Sequence, residues 1–132
     1  MTEPILKTQA SAKERANYLE AGLETEAGLE EAIRLLGLQH GQTSDSESRR
    51  RLRSQLLELE AERSKVHADL ISFLSETFRL LPPTTSEVNE VKDAARVLYS
   101  MVADNVSITQ VMEATEKLLM KWSRHKVLPL SA

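Results

Sequence analysis

The stretch from Leu52 to Leu81, LRSQLLELEAERSKVHADLISFLSETFRLL, decides how this chain is to be read. Stepping alternately four and three residues from Leu52 meets Leu56, Leu59, Arg63, Val66, Leu70, Phe73, Thr77 and Leu80, most of them large and apolar. A spacing that averages about 3.5 residues keeps one edge of an α-helix facing the same way for many turns, the pattern of helices that wind around each other. The seam therefore requires a partner helix. Near its end, Ile71, Leu74, Phe78 and Leu81 add a second apolar stripe beside Leu70, Phe73 and Leu80, so that part is expected to be covered from two sides.

Composition points the same way. The 132 residues are 28% charged and only 4% aromatic, a balance that suits helices better than sheets. The expected fold is all-α: long coiled-coil helices, as a helical hairpin or a hetero-coiled coil, followed by two shorter helices that form a small helical end. The divisions expected are 1–43 for an N-terminal helix and connection, 44–81 for the heptad helix, and 82–132 for the C-terminal region. A net charge of −3 is too small to drive nonspecific binding to nucleic acid or membranes. The absence of cysteine removes disulfides and thiolate metal sites. The apolar runs fall far short of the roughly 20 residues that span a bilayer, so a soluble, intracellular protein is expected.

Upstream of the heptad helix, Thr2 to Leu36 reads as a helix with Pro4 in its first turn. Its seam runs through Ala12, Ala16, Leu19 and Leu23, falters at Glu26 and Glu30, and resumes on a shifted register at Leu29, Ile33 and Leu36. Gly22 and Gly28 each cost about 1 kcal/mol relative to Ala in a helix interior. Gly37 and Gly41 signal its end, and a polar connection from Gly37 to Ser46 leads to a capping box of Ser44 and Glu47. Because the broken first seam matches the continuous second one poorly, pairing with another chain is favoured over a hairpin within this one.

Downstream, Pro82 and Pro83 end the heptad helix, and Thr84 with Glu87 forms a capping box for a third. Its buried edge is Val88, Val91, Ala95, Leu98 and Val102, widened by Ala94 and Met101. Asp104 and Asn105 break it, and Ser107 with Gln110 opens a fourth helix that turns Ile108, Val111, Met112, Thr115, Leu118, Leu119 and Trp122 inward.

Candidate chemistry is sparse. His40, His67 and His125 lack the spacing of a helical metal motif, no glycine-rich phosphate loop or nucleophile turn occurs, and Glu30, Glu31, Glu58, Glu60 and Glu62 lie on solvent-facing helices. Neither a catalytic residue nor a cofactor is expected. Arg49, Arg50, Arg51 and Arg53 stand in the first turns of a helix, where the macrodipole disfavours positive charge. Compensation by Asp45, Glu47 and the acidic first helix is the simple account. The alternative is contact with an anion or nucleic acid, supported by a second basic patch from Lys121 to Lys126 near Trp122.

Taken together, Ser46 to Arg49, the coiled-coil helix, the close LISFLSETFRLLP at Leu70–Pro82 and two smaller helices resemble the C-terminal half of the centromere protein K family of inner-kinetochore subunits. Phe73, Leu74, Phe78, Leu81 and Pro82 carry the likeness. The resemblance implies a nonenzymatic, nuclear, centromeric scaffold that pairs with centromere protein H through the long helix and meets centromere protein I through the helical end. The partner interface would comprise Leu52, Leu56, Leu59, Arg63, Val66, Leu70, Phe73, Phe78 and Leu81. The chain lacks the family's basic linker after the Leu-Pro stop and its aromatic-proline entry to the last helix.

Overall fold

A computed structural model describes residues 11–75, 80–104, 106–124 and 127–129. It is all-α but for one short strand pair: α1 spans Ala12–Gln42, α2 Ser46–Ser75, α3 Thr85–Ala103 and α4 Ile108–Arg124, with β1 at Leu80–Leu81 and β2 at Leu128–Pro129. The strands are antiparallel, Leu80 opposite Pro129 and Leu81 opposite Leu128, and tie the segment after α2 to the segment after α4.

The central element is α1, not the heptad helix. It begins at a capping box in which the Ser11 hydroxyl accepts from the Glu14 backbone N–H and the Glu14 carboxylate accepts from that of Ser11, so the helix starts at Ala12 rather than Thr2. The expected first turn around Pro4 lies outside the described residues. At its far end α1 runs through Gly37 and Gly41 to Gln42, and the ten-residue connection shrinks to 43–45. The two glycines that read as stop signals sit inside the helix, and neither marks a close approach: a Cβ at Gly37 would stand 3.8 Å from Leu56 Cδ1 and one at Gly41 would meet open space. The cap of α2 is Asp45, whose carboxylate accepts from the Ser48 backbone N–H at 2.9 Å, in place of the expected Ser44.

A turn this short folds α2 back antiparallel on α1. Gly22 lies against Leu70, Glu26 pairs with His67 at 3.1 Å, and Gly37 faces Leu56, so positions descend along α2 as they rise along α1. The favoured pairing of both helices with another chain is thereby corrected. Leu59, Val66, Leu70 and Phe73 are buried within this chain, and Leu52 and Leu56 pack against the same core. Arg63, read as a register selector, sits half-buried at the edge of that interface.

The faltering seam of α1 has a physical reason. This helix packs against α2 on one flank and α3 on another and also touches α4, so no single 3.5-residue edge describes it. Its buried set is Tyr18, Ala21, Gly22, Thr25, Gly28, Leu29, Ala32, Leu35 and Leu36, whereas Ala12, Ala16 and Leu23 of the expected seam are exposed. Thr25 is tolerated at the centre because its hydroxyl donates to the Ala21 carbonyl at 2.8 Å, and Thr115 does the same to Val111 in α4. Gly28 lets α3 approach, with Leu98 Cδ2 only 3.3 Å from where a Cβ would stand.

The C-terminal half follows its sequence pattern closely. Val88, Val91, Ala95, Leu98 and Val102 are buried on α3, and Val111, Thr115, Leu118 and Trp122 on α4. Both capping boxes form, Thr84 with Glu87 and Ser107 with Gln110. A salt-bridged strip closes the α1–α3 flank: Lys92 reaches Asn17 and Glu20, and the Arg96 guanidinium lies 2.9 Å from Glu24. That proximity raises the Arg96 pKa further, chiefly through the hydrogen bond to Glu24.

The end of α2 also departs from expectation. The helix is described as far as Ser75, and Leu80 and Leu81 belong to β1 and not to α2, as fits a residue held extended by the Pro82 that follows it. Ile71 and Leu74 are half exposed, so these two positions do not form a second buried stripe. Thr77 and Phe78 lie outside the described residues, as does the side chain of Leu81.

Candidate functional site

Three helices close on α1 tightly, but α2 and α4 stand apart. Between them lies an open groove of about 830 Å³. Its floor is aromatic. The Tyr18 ring lies 4.7 Å from that of Phe73 in a tilted arrangement and 5.4 Å from that of Trp122 in a stacked one, so residues from α1, α2 and α4 form one cluster. Such pairs contribute about 0.5–1.5 kcal/mol beyond their buried area.

One directed bond spans the two walls. The Trp122 indole N–H donates to Asp69 Oδ2 at 2.8 Å, which gives the buried ring its polar partner and fixes the azimuth of α4 relative to α2. Burial, reinforced by the Asp69 charge, pushes the Tyr18 phenol well above its usual range and keeps it protonated. With Tyr18 in contact with both other rings, the three form a floor to the groove.

The walls differ in character. On α2 the lining is polar, with Glu62, Lys65, Asp69 and Ser72, and Lys65 lies 3.2 Å from Glu62. On α4 it is more apolar, through Leu119 and Met120, with Glu116 and Ser123 beside them. Met120 is 64% exposed, the highest exposure among the large apolar residues described, while its neighbour Leu119 is half-buried.

The residues singled out by sequence separate into distinct places. Val66 and Phe73 reach this groove from the heptad seam, and Trp122 reaches it from α4. Leu56 and Leu70 of the same seam face Gly37 and Gly22 of α1. The arginine cluster sits at the opposite end of α2, and the structure divides it. Arg49 turns back to the end of α1, where its guanidinium donates to the Thr43 carbonyl at 3.1 Å and to the His40 carbonyl at 3.4 Å. A cation that seemed misplaced at the start of one helix thus satisfies the negative end of the preceding one. Arg51 lies 4.0 Å from Glu47 with both side chains exposed, and Arg50 and Arg53 are exposed. The Asp45 carboxyl is held below its usual range, first by hydrogen bonds with Ser48 and then by Arg51. The acidic residues Glu20 and Glu24 of α1 serve Lys92 and Arg96 on α3, not the arginine cluster.

Among the described residues, no group of three His, Cys, Asp or Glu side chains is placed to hold a metal ion. No described helix is long and apolar enough to cross a membrane. His67 is committed to Glu26, and His125 lies outside the described residues. Tyr18 and Asp69 were missed by sequence reasoning. Tyr18 falls between the seam positions Ala16 and Leu19, and Asp69 lies off the heptad edge, directly before Leu70. A single Tyr or Asp on a helix carries no signal of a partner more than fifty positions away.

Searches for related proteins return nothing: no family model, curated protein or solved structure matches the chain. The resemblance to the centromere protein K family therefore rests on its residues alone.

Proposed function

We propose that this chain is a non-enzymatic interaction subunit that contributes a helical bundle to a larger protein assembly and receives a partner in the groove between α2 and α4. The observation that carries this reading is the asymmetry of the bundle. The α1–α2 and α1–α3 contacts are packed, while between α2 and α4 an aromatic floor and the exposed Met120 remain open to an occupant. Concave sites of a few hundred Å³ with apolar floors and a few placed polar groups are the usual form of a binding site. The long seam does not serve as the docking surface in this reading, because it is occupied within the chain.

Cross-linking mass spectrometry in an extract of the producing cells tests this. Lys65, on the groove wall, is the reporter. Cross-links from Lys65 to a second protein should disappear when Leu119 and Met120 are both changed to Gln and persist in Leu57→Glu, a change at an exposed position outside the groove. Cross-links that survive the double change would overturn the groove as the docking site. The resemblance implies an inner-kinetochore assembly with centromere proteins H and I as partners. Recovery of those two proteins on Lys65 is the outcome specific to that assembly.

A further inference from the structure

We infer that the occupant of the α2–α4 groove is an amphipathic helix of about three turns whose apolar face meets Leu119, Met120 and the Tyr18–Phe73–Trp122 floor and whose basic edge meets Glu62 and Asp69. The inference rests on the reading of this groove as a docking site and adds the chemistry of the partner.

Length comes first. From Glu62 to Phe73 the α2 wall extends roughly 16 Å at 1.5 Å per residue, enough for about three turns of a helix lying along it. Backbone chemistry then selects the conformation. Both walls are helices whose interior N–H and C=O groups bond within their own turns, so an extended peptide would find no ladder to join and would leave its own backbone groups unsatisfied against an apolar floor. A helix satisfies its backbone internally. Charge selects the flank: the α2 wall presents the carboxylates of Glu62 and Asp69 against the single ammonium of Lys65, which lies 3.2 Å from Glu62, and α4 adds only the carboxylate of Glu116. Lysine or arginine on the partner's α2-facing edge meets this excess, and acidic residues there are repelled. The flexible, polarisable Met120 adapts to the apolar side chains it receives.

The test uses the full chain and a displayed library of 18-residue peptides. Each peptide has Leu fixed at positions i, i+3, i+4 and i+7 and has Lys, Glu, Gln, Ser or Ala at the flanking positions. Selection should enrich Lys along one edge of the apolar stripe. The enriched peptide should perturb the fluorescence of the only tryptophan, Trp122, and bind Asp69→Asn and Glu62→Gln each roughly fivefold more weakly, the upper range of one exposed ion pair. Asp69→Asn retains an oxygen acceptor for the indole N–H, so this loss reports on charge. Equal enrichment of acidic and basic edges, or unchanged affinity for both variants, would overturn the basic-edge assignment and leave the groove as a docking site. No enrichment at all, or equal binding to Met120→Gln, would overturn the docking site as well. Met120 is exposed, so Met120→Gln should leave the unfolding midpoint unshifted, and its loss of binding is not a loss of fold.

Discussion

The two flanks of α2 face neighbours in opposite ways. Toward α1 the contact sets leucine against glycine: a Cβ at Gly22 would overlap the Leu70 side chain, so the helices meet there as closely as a missing side chain allows. Toward α4 the contact is made by large rings, with Tyr18, Phe73 and Trp122 filling the base and α4 held away above them. The same helix is thus sealed on one side and open on the other. Interhelical distance follows the size of the side chains at the contact, and the groove is the direct consequence of placing glycine on one flank and tryptophan on the other.

Phe73 belongs to both flanks, buried against α1 and forming part of the groove floor. Phe73→Ala should cost about 3–5 kcal/mol in denaturant unfolding, the largest single effect expected here. A cost below about 1 kcal/mol would mean that the two flanks do not share a core. Next in size are the glycines of the sealed flank. Gly22→Ala forces the buried Leu70 side chain to move and should be destabilising by about 1–3 kcal/mol, partly offset by the better helix propensity of alanine. Gly37→Ala places its methyl 3.8 Å from Leu56 Cδ1 and should stabilise by up to about 1 kcal/mol. Equal responses at the two positions would remove close approach as the reason that the α1 flank is sealed.

The smallest effect concerns the open flank and is read by pH. The folded state raises the Tyr18 pKa above the ordinary phenol value of 10.0, because burial and Asp69 both oppose the phenolate. The unfolded chain therefore releases this proton first. The corresponding stability is fully present below about pH 10 and is lost as pH rises toward the folded value. Thermal melts at pH 8 and pH 10.5 should show a larger fall for the wild type than for Tyr18→Phe. Identical falls would mean that the floor of the groove is open to water.

Much of this architecture was legible from residue order. The third and fourth helices carry a capping box each and a clean 3.6-residue apolar edge, because each turns one face to the core and leaves the other to solvent. The heptad edge of α2 was legible for the same reason, since it faces one partner. The first helix was not. A helix buried on two flanks replaces a stripe of large residues with small ones where backbones approach, and Gly22 and Gly28 then look like defects when they are contacts. Ser11 and Glu14, by contrast, carry in the sequence the same Ser/Thr-x-x-Glu capping signal that opens α3.

The sequence by itself determined that the chain is helical, where α3 and α4 begin, and which edge of α2 is apolar, since propensity, capping and periodicity are local properties. Tertiary structure decided which helix covers that edge, that Arg49 completes α1, and that Trp122 bonds Asp69 across an open groove. Those outcomes depend on distances between residues far apart in the chain, set by side-chain volume at each crossing, and periodicity carries no information about them.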